Sequence, residues 1–279
     1  MEVPVVIVNK HLSDFPELEY VIKTAKKYDN RVVFIGDDPV DINWGAEICD
    51  INSRMNNSKD CSEFIENYVH MSTNNPQVEL FCFLRWLVLR DWMKENTVDV
   101  VLHIDRDILY FANASAEYQR YSNFEFTLSG RTSAHCSFFT FDGLNNFCNY
   151  FMNIYRNKDS FDFSRLSSEF QVRQHYGLEG GVCDMTLFEK YARFEKPYRI
   201  GEVSIVSGSN GYYDHVVSIS EDFEMDEELG IKKINFNTPW PYGQNVRLNQ
   251  SVRFSCLHFQ GASKKYIREI YNRRWKVND

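Results

Sequence analysis

The sequence predicts an α/β protein, a single domain in which a mixed, mainly parallel central sheet is flanked by helices. The first observation is the run "PVVIVNK", a helical pattern, and then "RVVFIGDD": strand, helix and strand with short connections, the order that builds parallel sheets. The second is residues 76–96, the most apolar helical stretch, which lead into a further apolar run, "VDVVLHIDRDILYF", at 98–111. Open sheets of this class bind ligands beyond the carboxyl ends of their strands, and Asn9, Lys10, Asp37 and Asp38 occupy such ends.

Taken in order, "PVVIVNK" is a short buried strand. The helix after it, within 13–30, carries Leu18, Val21, Ile22 and Ala25 at helical spacing behind a Ser/Asp/Pro start signal. "RVVFIGDD" is the second strand, 39–60 reads as loop, and 61–70 as a short helix. In 76–96, Val78, Phe81, Cys82, Leu89 and Trp92 share a stripe with Arg85. A guanidinium among apolar side chains is tolerated when it is paired with an anion, either a neighbouring carboxylate or a phosphate. From 113 to 200 the pattern gives strands in "FEFTLSG" and "CSFFTFDG", a helix near 144–156, a polar stretch at 157–175, and a glycine-rich turn, "GLEGGVCDMT", entering a helix with Leu187, Phe188 and Tyr191. The acidic segment 220–230 reads as a solvated loop or surface helix, and "FSCLHFQGASKKYIREIYNRRWK" as strand, turn and basic helix.

The chain has 279 residues, enough to bury about three quarters of its unfolded surface. Its net charge of -8 argues against a general nucleic-acid binder, so any anionic ligand must be held locally. Seven scattered cysteines without a CxxC pair suggest neither a zinc cage nor a disulfide framework, and reduced thiols follow. The opening "MEVPVVIVNK" lacks a basic region followed by an apolar signal core, and no apolar run approaches the ~20 residues needed to span a bilayer, which predicts a soluble, cytoplasmic protein.

Asp105 and Asp107 interrupt the run at 98–111, which otherwise reads as one strand buried on both faces. Strand alternation puts both carboxylates on one face, about 7 Å apart at Cα. Two such groups repel unless a cation lies beside them, and a hard divalent ion, Mg²⁺ or Mn²⁺, takes oxygen ligands of this kind together with substrate phosphates. Capping of neighbouring amides is the structural alternative. His258, in "CLHFQGASKK", is followed by Gly261, which permits a tight turn, and by Lys264, a point charge suited to phosphate oxygen. A satisfied core histidine is the structural alternative for His258; with Gly261 and Lys264 it would make a metal–diphosphate clamp.

Taken together, "ELFCFLRW", "VVLHIDRDILYF", "GGVCDMT" and "LHFQGASK" resemble the signature segments of nucleotide-sugar glycosyltransferases of the GT-A fold, a Rossmann-like domain, most of all the branch of glycogenin and bacterial lipooligosaccharide galactosyltransferases. The resemblance implies Asp105, Asp107 and His258 as ligands of Mn²⁺ (or Mg²⁺) on a UDP-sugar diphosphate. It implies Lys264 as a diphosphate contact, and Asn9, Arg85, Asp105 and Gly261 as further donor contacts. It divides the domain into a nucleotide-sugar half (1–112), an acceptor half (113–262) and a basic C-terminal helix (263–279). The implied activity is transfer of a glucose-, galactose- or xylose-type sugar to a hydroxyl of a glycan or glycoconjugate. Where the family carries an Asp-Gln-Asp type motif this chain has "CDMT". Asp184 matches the first aspartate, as an orienting group in a retaining reaction or a general base in an inverting one, with an early-helix carboxylate as the structural alternative. Trp240, Tyr242, Tyr212 and Tyr213 are candidate acceptor-stacking rings, and the terminal basic helix suits either solvent or an anionic membrane or lipid-linked acceptor. Two other classes remain. A haloacid dehalogenase-type phosphatase also follows an apolar strand with DxD, but wants a Thr-Gly step where this chain has "ILYF". A non-catalytic sugar-binding protein on the same fold would not need Asp105, Asp107, His258 and Lys264 all intact.

Overall fold

The computed structural model describes residues 1–10, 15–38, 40–206, 211–236 and 238–275. Its first part runs β1 (Val5–Val8), α1 (Leu18–Lys26), β2 (Val32–Gly36), β3 (Glu47–Asp50), α2 (Ile51–Asn57), α3 (Lys59–Asn67), α4 (Pro76–Glu95), β4 (Val100–Ile104) and β5 (Ile108–Tyr110). It continues with α5 (Ala114–Tyr118), β6 (Phe126–Leu128), β7 (Cys136–Thr140), α6 (Phe141–Arg156), α7 (Phe161–His175), α8 (Asp184–Lys190) and β8 (Ile200–Glu202). The last part is β9 (Tyr212–Tyr213), β10 (Met225–Asp226), β11 (Ile231–Lys232), β12 (Tyr242–Asn245), β13 (Gln250–His258) and α9 (Ile267–Trp275).

The central seven-stranded sheet has the order β3-β2-β1-β4-β7-β6-β8. Only β7 runs against its neighbours, so the carboxyl ends of β1, β4, β6 and β8 share one edge. Both faces are covered. Val5 and Ile7 pack with α1, while Val6 and Val8 pack with Phe83, Trp86 and Leu87 of α4, which explains why these strands are apolar at successive positions. Helix α4 is buried on more than the one stripe its sequence suggests: Phe83, Leu84, Trp86, Leu87 and Val88 are buried along with Leu89 and Trp92, whereas Val78 is exposed.

The run 98–111 is not one strand. Val100–Ile104 lies in the central sheet, and Ile108–Tyr110 pairs antiparallel with β13 in a second sheet formed by β12, β13, β5 and β9. The Asp105–Asp107 turn between them, closed by the Ile108 amide on Asp105 O (3.2 Å), is the corner at which the chain changes sheets. Strand alternation therefore does not relate the two aspartates.

Three other expectations are corrected. Residues 47–57 hold an edge strand and a helix in place of loop, and 161–175 hold α7, which buries Leu166 alone and so shows no apolar stripe. Tyr212 and Tyr213 are core residues against Phe223, Phe254 and Tyr110, which removes them as acceptor-stacking rings. Trp240 lies against Arg253. In α9, Trp275 stacks on Phe111 and contacts Tyr271, so its aromatic side faces the domain. Ser13 and Asp14 of the α1 start signal, Asn237, and residues 276–279 lie outside the described residues. All seven cysteines are free thiols, and among the described residues no helix is long and apolar enough to cross a membrane.

Candidate functional site

A cavity of about 410 Å³ opens at the carboxyl ends of β1 and β4, with Asn9, Lys10, Arg85, Asp105, Asp107 and Lys264 on its walls. Each residue is delivered by a different device. Asn9 ends β1 and its side chain donates to Asp38. Arg85 projects from α4, whose N-terminus is capped by Asn75 with Pro76 in the first turn. The two aspartates sit on the corner between sheets, and Lys264 follows the left-handed Gly261 (φ 62°) in a short 3₁₀ turn after β13.

Asp105 and Asp107 have different partners. Arg85 Nη1 donates to Asp105 Oδ1 (2.6 Å) and Nη2 to Asp184 Oδ2 (2.8 Å), joining the two carboxylates. Burial is the largest influence and works against the Asp105 charge, but Arg85 together with His103, His258 and His135 exceeds it and holds the carboxyl at about 2. The buried His103 imidazole itself is pushed down to about 4 by desolvation. It donates from Nδ1 to Ala134 O (3.1 Å), leaving Nε2 without a hydrogen-bond partner and 3.8 Å from Asp105 Oδ1.

Asp107 meets the C-terminal elements. Lys264 Nζ lies 3.2 Å from its Oδ2, and His258 Nε2 lies 3.6 Å from its Oδ1. His258 donates from Nδ1 to His215 O (2.5 Å), so Nε2 carries a lone pair. That lone pair faces a carboxylate oxygen, an opposition that only a proton or a shared cation relieves. The donor pair thus fits a divalent ion. Among the described residues no group of three or more His, Cys, Asp or Glu is gathered as metal ligands, and Asp105 is turned toward Arg85.

Asp184 is the first residue of α8 and is buried. Its Oδ2 accepts from both Arg85 and Trp86 Nε1 (2.9 Å), and its Oδ1 accepts from the Met185 amide (2.9 Å). Ahead of it, Gly181 packs so closely on Met71 and Ser72 that a Cβ would lie 2.2 Å from Met71 O, which fixes where α8 begins. The structure thus brings together Asn9, Arg85, Asp105, Asp107, Asp184, His258 and Lys264, with Gly261 supplying the turn. Sequence reasoning missed Trp86, whose adjacency to Arg85 carries no signal, and Phe15, which lies under both Arg106 (4.9 Å) and Lys264 (5.6 Å).

No family model matches the chain, and no curated protein sequence does. Solved structures with a similar chain path include mouse xyloside xylosyltransferase 1 in its apo form, with 10% identity and TM-score 0.47 over 73% of this chain and 86% of that one. A second is the galactosyltransferase LgtC in complex with donor and acceptor sugar analogues, with 12% identity and TM-score 0.45 over 97% and 96%. A third is a glycosyltransferase involved in glycosylation of the major capsid of PBCV-1, with 7% identity and TM-score 0.41 over 96% and 98%. At these values each is a likeness of chain path, and the functional argument rests on the side chains.

Proposed function

We propose that the protein is a GT-A glycosyltransferase that takes a sugar from a UDP-sugar and passes it to a hydroxyl of a glycan or glycoconjugate. The opposed lone pairs of Asp107 and His258, flanked by Lys264 and Arg85 at a cavity of about 410 Å³, are the observation that carries this reading. Such a site calls for a cation and a polyanion together, as in a metal-bound nucleoside diphosphate.

Asp107 and His258 would hold the metal, Mn²⁺ or Mg²⁺, with Asp105 joining them when its carboxylate is released by Arg85. The ion would act as a Lewis acid, neutralising charge on the departing diphosphate. Lys264 binds a phosphate oxygen and stabilises the negative charge that develops there as the glycosidic bond breaks. Arg85 exchanges a carboxylate for phosphate, and Asn9 orients the nucleotide. Once Arg85 turns, Asp184 is open to accept a donor-sugar hydroxyl, while Trp86 and the Met185 amide keep the carboxylate in place.

Calorimetry with UDP tests the reading. Binding is expected to need Mn²⁺ or Mg²⁺, and Asp107→Ala to remove that dependence. UDP that binds equally well without metal, or does not bind at all, would overturn the assignment.

A further inference from the structure

A second cavity, of about 430 Å³, lies at the carboxyl ends of β6 and β8, along the same sheet edge as the first. Gly130, Arg131, Thr132, Glu189, Arg193 and Glu202 are among its walls. His215 links residues beside the two cavities. Ser129 hydrogen-bonds His215 Nδ1 (3.0 Å), a Cβ on Gly130 would sit 3.9 Å from the same imidazole, and the His215 carbonyl orients His258.

Two costly backbone irregularities each deliver one arginine to this cavity. Gly130 and Arg131 are consecutive left-handed residues, at φ 59° and 60°. A non-glycine residue there is strained and persists only where the surroundings enforce it. Here Glu202 enforces it, accepting from the Gly130 amide (3.1 Å) and the Arg131 amide (2.9 Å), and Ser204 donates to the same carboxylate from its amide and hydroxyl. Opposite, α8 does not end in a normal turn but runs into a π-helical turn at Tyr191–Glu195, which carries Arg193. Such turns concentrate at functional sites.

Neither arginine has a carboxylate partner among the described residues, whereas their basic neighbours do: Lys190 pairs with Glu169, and Lys196 and Arg199 pair with Glu125. Segment 190–199 carries four cations and one carboxylate in a chain of net charge -8. Both guanidinium groups are exposed and without a carboxylate, Arg193 lying over the Phe194 ring (5.3 Å), and at the rim of a cavity such groups form a receptor for an oxyanion. Glu189 and Glu202 line the same cavity, which suits a ligand bearing hydroxyls beside its anionic group and disfavours a polyanion such as nucleic acid.

We propose that this cavity holds the acceptor, and that Arg131 and Arg193 read a carboxylate or phosphate on it, so that the acceptor is an acidic glycan. The word acceptor rests on the glycosyl-transfer reading above; the recognition of an acidic sugar does not.

The test is titration of the full chain with disaccharides ending in glucuronate, in a sugar phosphate, or in the matching neutral sugar, alongside UDP with Mn²⁺. Arg131→Gly keeps the left-handed backbone without the guanidinium, and Arg193→Ala removes the other. Tenfold or tighter binding of one acidic ligand over the neutral one is expected, the carboxylate and phosphate arms telling the two groups apart. That preference should vanish in the double variant while UDP affinity is unchanged. Equal binding of acidic and neutral ligands, a preference that survives the double variant, or competition by inorganic phosphate as strong as by the sugar phosphate would each overturn the proposal. Loss of UDP binding in the wild type with the acidic preference intact would instead remove the glycosyl-transfer reading and leave the acidic-sugar site standing.

Discussion

Two clusters of buried charge flank the Asp-x-Asp corner, and they differ in what their cations are free to do. Arg85 stands between Asp105 and Asp184 on the wall of the first cavity, with its side chain 14% exposed and its Nε unpartnered. Lys232, behind the site, is fully sealed. Its ammonium donates to Asp214 Oδ1 (2.5 Å), Val216 O (2.9 Å) and Glu221 Oε2 (2.6 Å), which uses all three protons. The other Asp214 oxygen accepts the His258 amide (3.1 Å). The carboxyls differ too. Burial pushes Asp214 above the usual range despite Lys232, whereas Asp105 is held low. Each cation faces two carboxylates, so saturation and access separate the clusters. The charge that can change partners faces the cavity, and the charge that cannot holds the strand that must stay fixed.

The largest test of that contrast is Lys232→Met, which leaves Asp214 as an uncompensated buried carboxylate. A loss of about 3–5 kcal/mol is expected, lowering Tm by about 10 °C at roughly 2–4 °C per kcal/mol. Thermal unfolding that shows a loss below about 1 kcal/mol would erase the distinction. Arg85→Met should cost less stability, about 2–3 kcal/mol, because Trp86 and the Met185 amide still serve Asp184, yet should weaken UDP binding at least about tenfold. Paired unfolding and calorimetry check both halves. The smallest effect is on the acid side. Asp105 is lowered from 3.8 to about 2, so the stability it contributes is complete above pH 3.8 and is lost as pH falls through about 2. In Arg85→Met that loss should disappear, and acid titrations of equal steepness in the two proteins would refute the pairing.

Much of this arrangement was legible in the sequence where a residue's surroundings are local. The β1–α1–β2 unit showed in its apolar spacing, and Arg85 announced an anion because it sits among apolar neighbours. Asp105 and Asp107 showed because they interrupt an apolar run, and His258 and Lys264 because they bracket a glycine turn at the end of another. What stayed hidden depends on distant packing. β3 is an edge strand with polar residues, and α7 rests on Leu166 alone. Lys232 sits beside exposed Lys233, and nothing in "GIKKIN" says which of the two is sealed. The rings of Tyr212 and Tyr213 suit a sugar face and a hydrophobic core equally well, and only the fold decides for the core. Arg131 and Arg193 gave no signal, since both are made distinctive by backbone conformation.

The pairing of β5 with β13 places His258 opposite Ile108, with the Phe259 amide on Asp107 O (3.0 Å). The two halves of the site are thus joined by one hydrogen-bonded ladder between segments far apart in sequence. During synthesis the Asp-x-Asp corner emerges long before its imidazole, and β5 waits with an open edge until β13 arrives. The proposed competence to bind a metal-linked diphosphate would therefore wait for β13 to be made and paired. A nascent or truncated form ending before Gln250 carries both aspartates but has neither His258 nor Lys264 to complete the site.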